Sequence, residues 1–119
     1  MGCLMSLAHD LSDRIERSAE AERHFGVSLE SLSAFVTVDE DGSARMAIAG
    51  EVVAPSRGNL VRNLHVLASA HDPKGRVLGV WKETIGVDGF YEFQAFAMSD
   101  YSSMPSADVA NIKIYPCGY

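Results

Sequence analysis

The stretch that most constrains this fold runs from Asn63 to Trp81. Its first half alternates, with Leu64, Val66, Ala68 and Ala70 on one parity and His65, Leu67, Ser69 and His71 on the other. A strand sends successive side chains to opposite faces, so the first set predicts a buried face. Asp72-Pro73-Lys74-Gly75 follows, with proline at the second place and glycine at the close, the pattern of a type I turn. Arg76 to Lys82 then returns as a second apolar run. Two such runs joined by a tight turn predict a β-hairpin, and an apolar sheet face requires a second layer to cover it.

The same period recurs on both sides. Phe35 to Val38 are β-formers, Asp39-Glu40-Asp41-Gly42 reads as a turn, and Ala44 to Val53 alternates Met46, Ile48, Gly50 and Val52 with Arg45, Ala47, Ala49 and Glu51. Ala54 to Asn59 is a loop. Phe90 to Met98 is a strand with aromatic residues of both parities, and Ser99 to Ala107, which contains Pro105, is a loop. Asp108 to Tyr115 supplies the closing strand, stopped by Pro116 and Gly118. No helix is expected between strands, so pairing should be mainly antiparallel.

The N-terminal segment has a different period. Leu4, Leu7, Ala8, Leu11, Ile15 and Ala19 recur at three- and four-residue steps, which predicts an amphipathic helix within residues 1–26. Asp10 with Arg14 and Asp13 with Arg17 are helix-spaced ion pairs, and Gly26 suits the residue just past the end.

At 119 residues the chain, 1–119, is expected to form a single domain, the helix at 1–26 and a β-sandwich at 33–119. Its net charge of -6 and its scattered basic residues predict no nucleic-acid partner. Cys3 and Cys117 lie far apart and outside any Cys-x-x-Cys pair, so free thiols and a cytoplasmic location are expected. An envelope-associated location is the alternative if an export signal was removed. No apolar run approaches the roughly 18 residues of a membrane span. Met1-Gly2-Cys3 to Ser6 loosely fits an acylation pattern, so a membrane partner is not expected unless Gly2 or Cys3 is acylated.

One likeness can be drawn from these residues. Ala49-Gly50-Glu51-Val52-Val53-Ala54-Pro55, Leu60 to Asn63, and Val66 through Asp72-Pro73-Lys74-Gly75-Arg76-Val77-Leu78-Gly79 resemble the FxLYD family of small immunoglobulin-like domains. That family carries a Gly-x-Val-x-Asn strand, a strand ending in Asp, a glycine turn and a Val-Leu-Gly return. Asp88-Gly89 before Phe93 looks like its Pro-Gly turn. The likeness covers residues 45–97; Ala54 stands in place of the family's Asn, and Ser69-Ala70-His71 in place of its Leu-Tyr. It implies a non-catalytic sandwich.

The chain carries no nucleophile elbow and no glycine-rich phosphate loop. His65 and His71 leave one strand face six residues apart, about 20 Å, too far to share an ion. The Asp39–Gly42 turn lacks the glycine and the terminal glutamate spacing of a calcium loop. No catalytic residue, metal ligand or cofactor is therefore expected, and the chain is read as not an enzyme.

The expected fold is a mainly β, antiparallel, immunoglobulin-like sandwich of about six to seven strands with the N-terminal helix. The alternative is an α+β fold with the helix packed on one curved antiparallel sheet. The expected function is a protein–protein interaction or assembly module that pairs with itself as a homo-oligomer. Its candidate surface comprises Leu67, Trp81, Phe90 and Phe96 with Leu4, Leu7, Leu11 and Ile15. The alternative is a small-molecule-binding protein or enzyme with a pocket between the helix and strand 90–98.

Overall fold

A computed structural model describes residues 7–39, 43–54, 63–86, 93–99, 104 and 108–118. Leu4, Phe90, Gly2 and Cys3, and most of the two loops expected at 54–59 and 99–107, lie outside those residues.

The chain is mainly β and folds as two facing sheets. In chain order the described strands are β1 (Leu7–Asp10), β2 (Ile15–Arg17), β3 (Ser28–Val38), β4 (Ala44–Val53), β5 (Leu64–His71), β6 (Val77–Ile85), β7 (Phe93–Ser99) and β8 (Asn111–Cys117). A short helix, α1 (Ala19–Phe25), separates β2 from β3. One sheet has the order β1-β3-β4-β7 and the other β2-β8-β5-β6. Pairing is antiparallel throughout except for β2 on β8, which is parallel. Two sheets form, so the alternative of a helix lying across one curved sheet does not occur.

The alternating runs account for the interior. Leu64, Val66, Ala68 and Ala70 of β5 are buried, as expected, and face Val36, Met46, Ile48 and Val52 of the other sheet within one core. Ile112 and Ile114 of β8 are wholly buried beside them. Each such aliphatic side chain contributes about 1.5–3 kcal/mol on leaving water. Gly50 sits where β3 bulges between Glu30 and Ser33, with Ser31 at φ 53. A Cβ on Gly50 would lie 2.5 Å from Leu32 Cδ2 and 3.0 Å from Phe96 Cζ. The missing side chain is what lets the bulged strand and the Phe96 ring close over β4.

The N-terminal segment departs from expectation. Among the described residues of the expected 1–26 helix, Ala19–Phe25 form an α-helix and Ser12–Arg14 a single 3-10 turn, while residues 7–10 and 15–17 are strands. The cause is local and tertiary together. The Asp10 side chain accepts from the Ser12 amide, and Ser18 caps α1 by accepting from the Ala21 amide. Such short polar side chains offer the backbone an alternative to continuous helix. The Leu11 amide donates to the Ala34 carbonyl at 2.8 Å, and the Ala34 amide donates to Ser12 Oγ at 3.1 Å. Leu11 is thus fastened to β3 where the chain crosses from one sheet to the other, and the free edges of β3 and β8 take up the residues on either side. Propensity yields to these partners. The end of α1 is as read: Gly26 is left-handed at φ 67, and the Val27 amide donates to the Glu22 carbonyl.

One acid locks this helix down. Glu22 is 5% exposed; its Oε1 accepts from Arg17 Nη2 at 2.6 Å and from the Leu29 amide at 2.9 Å. Its Oε2 accepts from Arg17 Nε at 3.2 Å. Burial pushes the carboxyl up, but the Arg17 hydrogen bonds, the Leu29 amide and the Arg17 charge outweigh it and hold the group below its ordinary range.

Candidate functional site

Among the described residues, the expected interaction residues do not assemble into one surface. Trp81 is 8% exposed, and Phe96 and Leu11 are each 5% exposed, so all three are core residues and the surface reading is corrected for them. Ile15 packs partly buried against that core. Leu7 lies in β1 opposite Val38. Leu67 is half-buried on the outer face of its sheet, in register with Lys82 and Tyr115.

Leu67 and Trp81 therefore leave opposite faces, although both belong to the expected surface. The cause is a bulge between Ala70 and His71. His71 pairs with Val77, but Ala70 pairs with Gly79, so Trp81 meets Ala68 rather than Leu67. A slip of one residue exchanges the two faces of a strand. The Trp81 ring lies along its own strand over Gly79, where a Cβ would come within 2.8 Å of it.

The edges of the two sheets differ in length. β1 and β2, with four and three residues, are the short edges of the two sheets. β6 and β7, with nine and seven residues, are the long edges, and they lie against each other. A groove of about 230 Å³ runs between them, lined by Trp81, Lys82, Glu83, Ala97, Met98 and Ser99. β6 carries Lys82 and the bulge, devices that discourage strand addition. β7, Phe93-Gln94-Ala95-Phe96-Ala97-Met98-Ser99, carries no charge at all.

The outer surface of β7 carries small side chains. Ala95, Ala97 and Ser99 are exposed there. Register places Ala97 beside Ala49 and Ser33, and Ser99 beside Ala47 and Phe35, whose ring is 41% exposed. Glu51 and Glu30 continue the row from Ala95. Alanines therefore alternate along both β4 and β7.

A larger cavity, about 480 Å³, opens at the turn between β5 and β6. Pro73, Val77 and Leu78 give it apolar walls, and Lys74, Arg76 and Asp108 give it ionisable ones. The turn is the expected one, with the Gly75 amide donating to the Asp72 carbonyl and Gly75 at φ 83. Asp72, 7% exposed, organises it: Oδ1 accepts from the amides of Lys74 at 2.9 Å and Arg76 at 2.8 Å, and Oδ2 from Arg76 Nε at 2.8 Å. The Arg76 amide foremost, then the Arg76 guanidinium, the Lys74 amide and the Arg76 charge, hold the carboxyl below its ordinary range against the cost of burial. The pocket expected between helix and aromatic strand is not where this cavity lies; α1 seats instead on β8 and β3.

His65 Nδ1 is 2.9 Å from Thr84 Oγ1, and His71 Nε2 is 2.9 Å from Ser69 Oγ. Among the described residues, no three His, Cys, Asp or Glu side chains converge as a metal site, and no helix is long and apolar enough to cross a membrane. No protein-family model matches the chain, and no curated protein or solved structure matches it either.

Proposed function

We propose that this chain is a non-enzymatic assembly module of immunoglobulin-like type, working in the cytoplasm, whose partner is a second copy of itself. The observation that carries the reading is β7, a seven-residue strand without a charged side chain that, among the described residues, is paired on one side only. Such an edge offers unpaired amides and carbonyls to another strand. Two identical edges pair antiparallel about a two-fold axis, and an uncharged strand meets no like charge in any register. The small side chains of Ala95 and Ala97 let the neighbour approach without steric cost, and the alanine surface of β4 continues the contact. The likeness to FxLYD domains supports the non-catalytic part of the reading.

Sedimentation of the full chain over a range of concentrations tests it. A reversible monomer–dimer equilibrium is expected, abolished by Ala97→Lys, which places a charge on the exposed face of β7 with the fold intact. A monomer at every concentration, or a dimer that Ala97→Lys leaves untouched, would overturn the proposal.

A further inference from the structure

The Asp72 turn does more than join two strands. Its buried carboxylate, which also lines the cavity, accepts from the backbone amides of Lys74 and Arg76 and from the Nε of Arg76. The Arg76 side chain is nonetheless 72% exposed. With Nε fixed, its two terminal nitrogens keep their N–H donors, and among the described residues no other hydrogen bond or ion pair engages them. The result is a guanidinium anchored at its base with an open fork, and the Lys74 ammonium leaves the same turn. Beside them Val77, 57% exposed, presents an apolar side chain that the core does not use. Leu78 and Pro73 extend that apolar wall into the cavity.

From this juxtaposition we infer that the cavity is a binding site for a small aliphatic monocarboxylate. A planar carboxylate accepts two parallel N–H bonds from a guanidinium fork, and Lys74 adds a second positive charge. The aliphatic tail lies on Pro73, Val77 and Leu78. A single negative charge suits the site better than two. The chain carries a net charge of -6, and Asp108 stands in the wall of the cavity. The Arg14 guanidinium donates to the carbonyl of Val109, the residue after Asp108. A volume of about 480 Å³ is within the range of small-molecule sites. This site is separate from β7, so a monomeric protein would leave it standing.

Amide chemical-shift titration of the full chain with hexanoate, hexanamide and acetate tests the inference. Saturable shifts are expected at the amides of residues 74–78, with hexanoate roughly ten-fold tighter than acetate, which lacks the tail, and than hexanamide, which lacks the charge. Arg76→Gln and Lys74→Gln should each weaken hexanoate several-fold. Arg76→Gln also disturbs the hold of Asp72, so Lys74→Gln, whose side chain has no part in the turn, is the cleaner variant; thermal unfolding of both reports on folding. No saturable shift, equal binding of hexanamide, or unchanged affinity in folded Lys74→Gln would each overturn the inference.

Discussion

Removing the Glu22 carboxylate should cost far more than the loss of a helix-surface acid. In Glu22→Ala the Leu29 amide, now inside the fold, loses its acceptor, and a buried amide left without a partner costs about 1–3 kcal/mol. The Arg17 pair adds less. The Arg17 side chain is 45% exposed, so water already screens it, and about 0.5–1 kcal/mol is a fair share. The total is about 1.5–4 kcal/mol, which for a domain of this size lowers the melting temperature by about 10 °C. Glu22→Gln separates the two contributions. It keeps an oxygen for Leu29 but loses the charge, so about 1 kcal/mol should be lost. The pH dependence follows from the direction of the shift. A carboxyl held low in the folded chain stabilises fully above its unfolded value, and that stability is lost as the pH falls through the lower, folded value. Urea unfolding of the three proteins at neutral and acidic pH measures this. The difference between native protein and Glu22→Gln should shrink as the solution becomes acidic. Glu22→Ala as stable as the native protein, or a difference independent of pH, would refute the reasoning.

Gly50→Ala should destabilise by about 1–3 kcal/mol, because the new methyl meets Leu32, Phe96 and the Glu30 carbonyl at 3.2 Å or less and the last of these is backbone; denaturant midpoints check it. Trp81→Ala should cost about 3–5 kcal/mol, as for other large core deletions. The single tryptophan of the native chain should also fluoresce as a buried indole and shift to longer wavelength on unfolding.

Much of the sandwich was legible because its strands obey one simple rule. Leu64 to Ala70 and Ala44 to Val53 alternate without interruption, and both fell into place as read. The Asp72 turn was legible for a chemical reason, since proline and glycine at fixed places leave few other conformations. Residues 7–17 were not legible, because Leu7, Leu11 and Ile15 satisfy a helical stripe, and nothing local reveals that Ala34 and the β8 backbone will claim this segment. The role of Glu22 was equally hidden, because nothing in the local sequence shows that the Leu29 amide will be brought to it. The face of Trp81 depended on one bulged residue, invisible to alternation alone. The cavity was missed because its walls come from a turn and from Asp108, distant in sequence, and no motif marks such a meeting.

The pairing of β2 with β8 has a consequence for how the chain is made. Of the described strands β8 is made after all the others, yet it lies in the interior of its sheet, between β2 and β5. Until it arrives, β2 has no partner and β5 has only β6. The first sheet can close earlier, since β7 completes it, but its apolar side then waits uncovered for the second. The nascent protein therefore passes through an interval in which half a sandwich is exposed. Non-local pairing of this kind folds slowly and invites the protection of chaperones during synthesis.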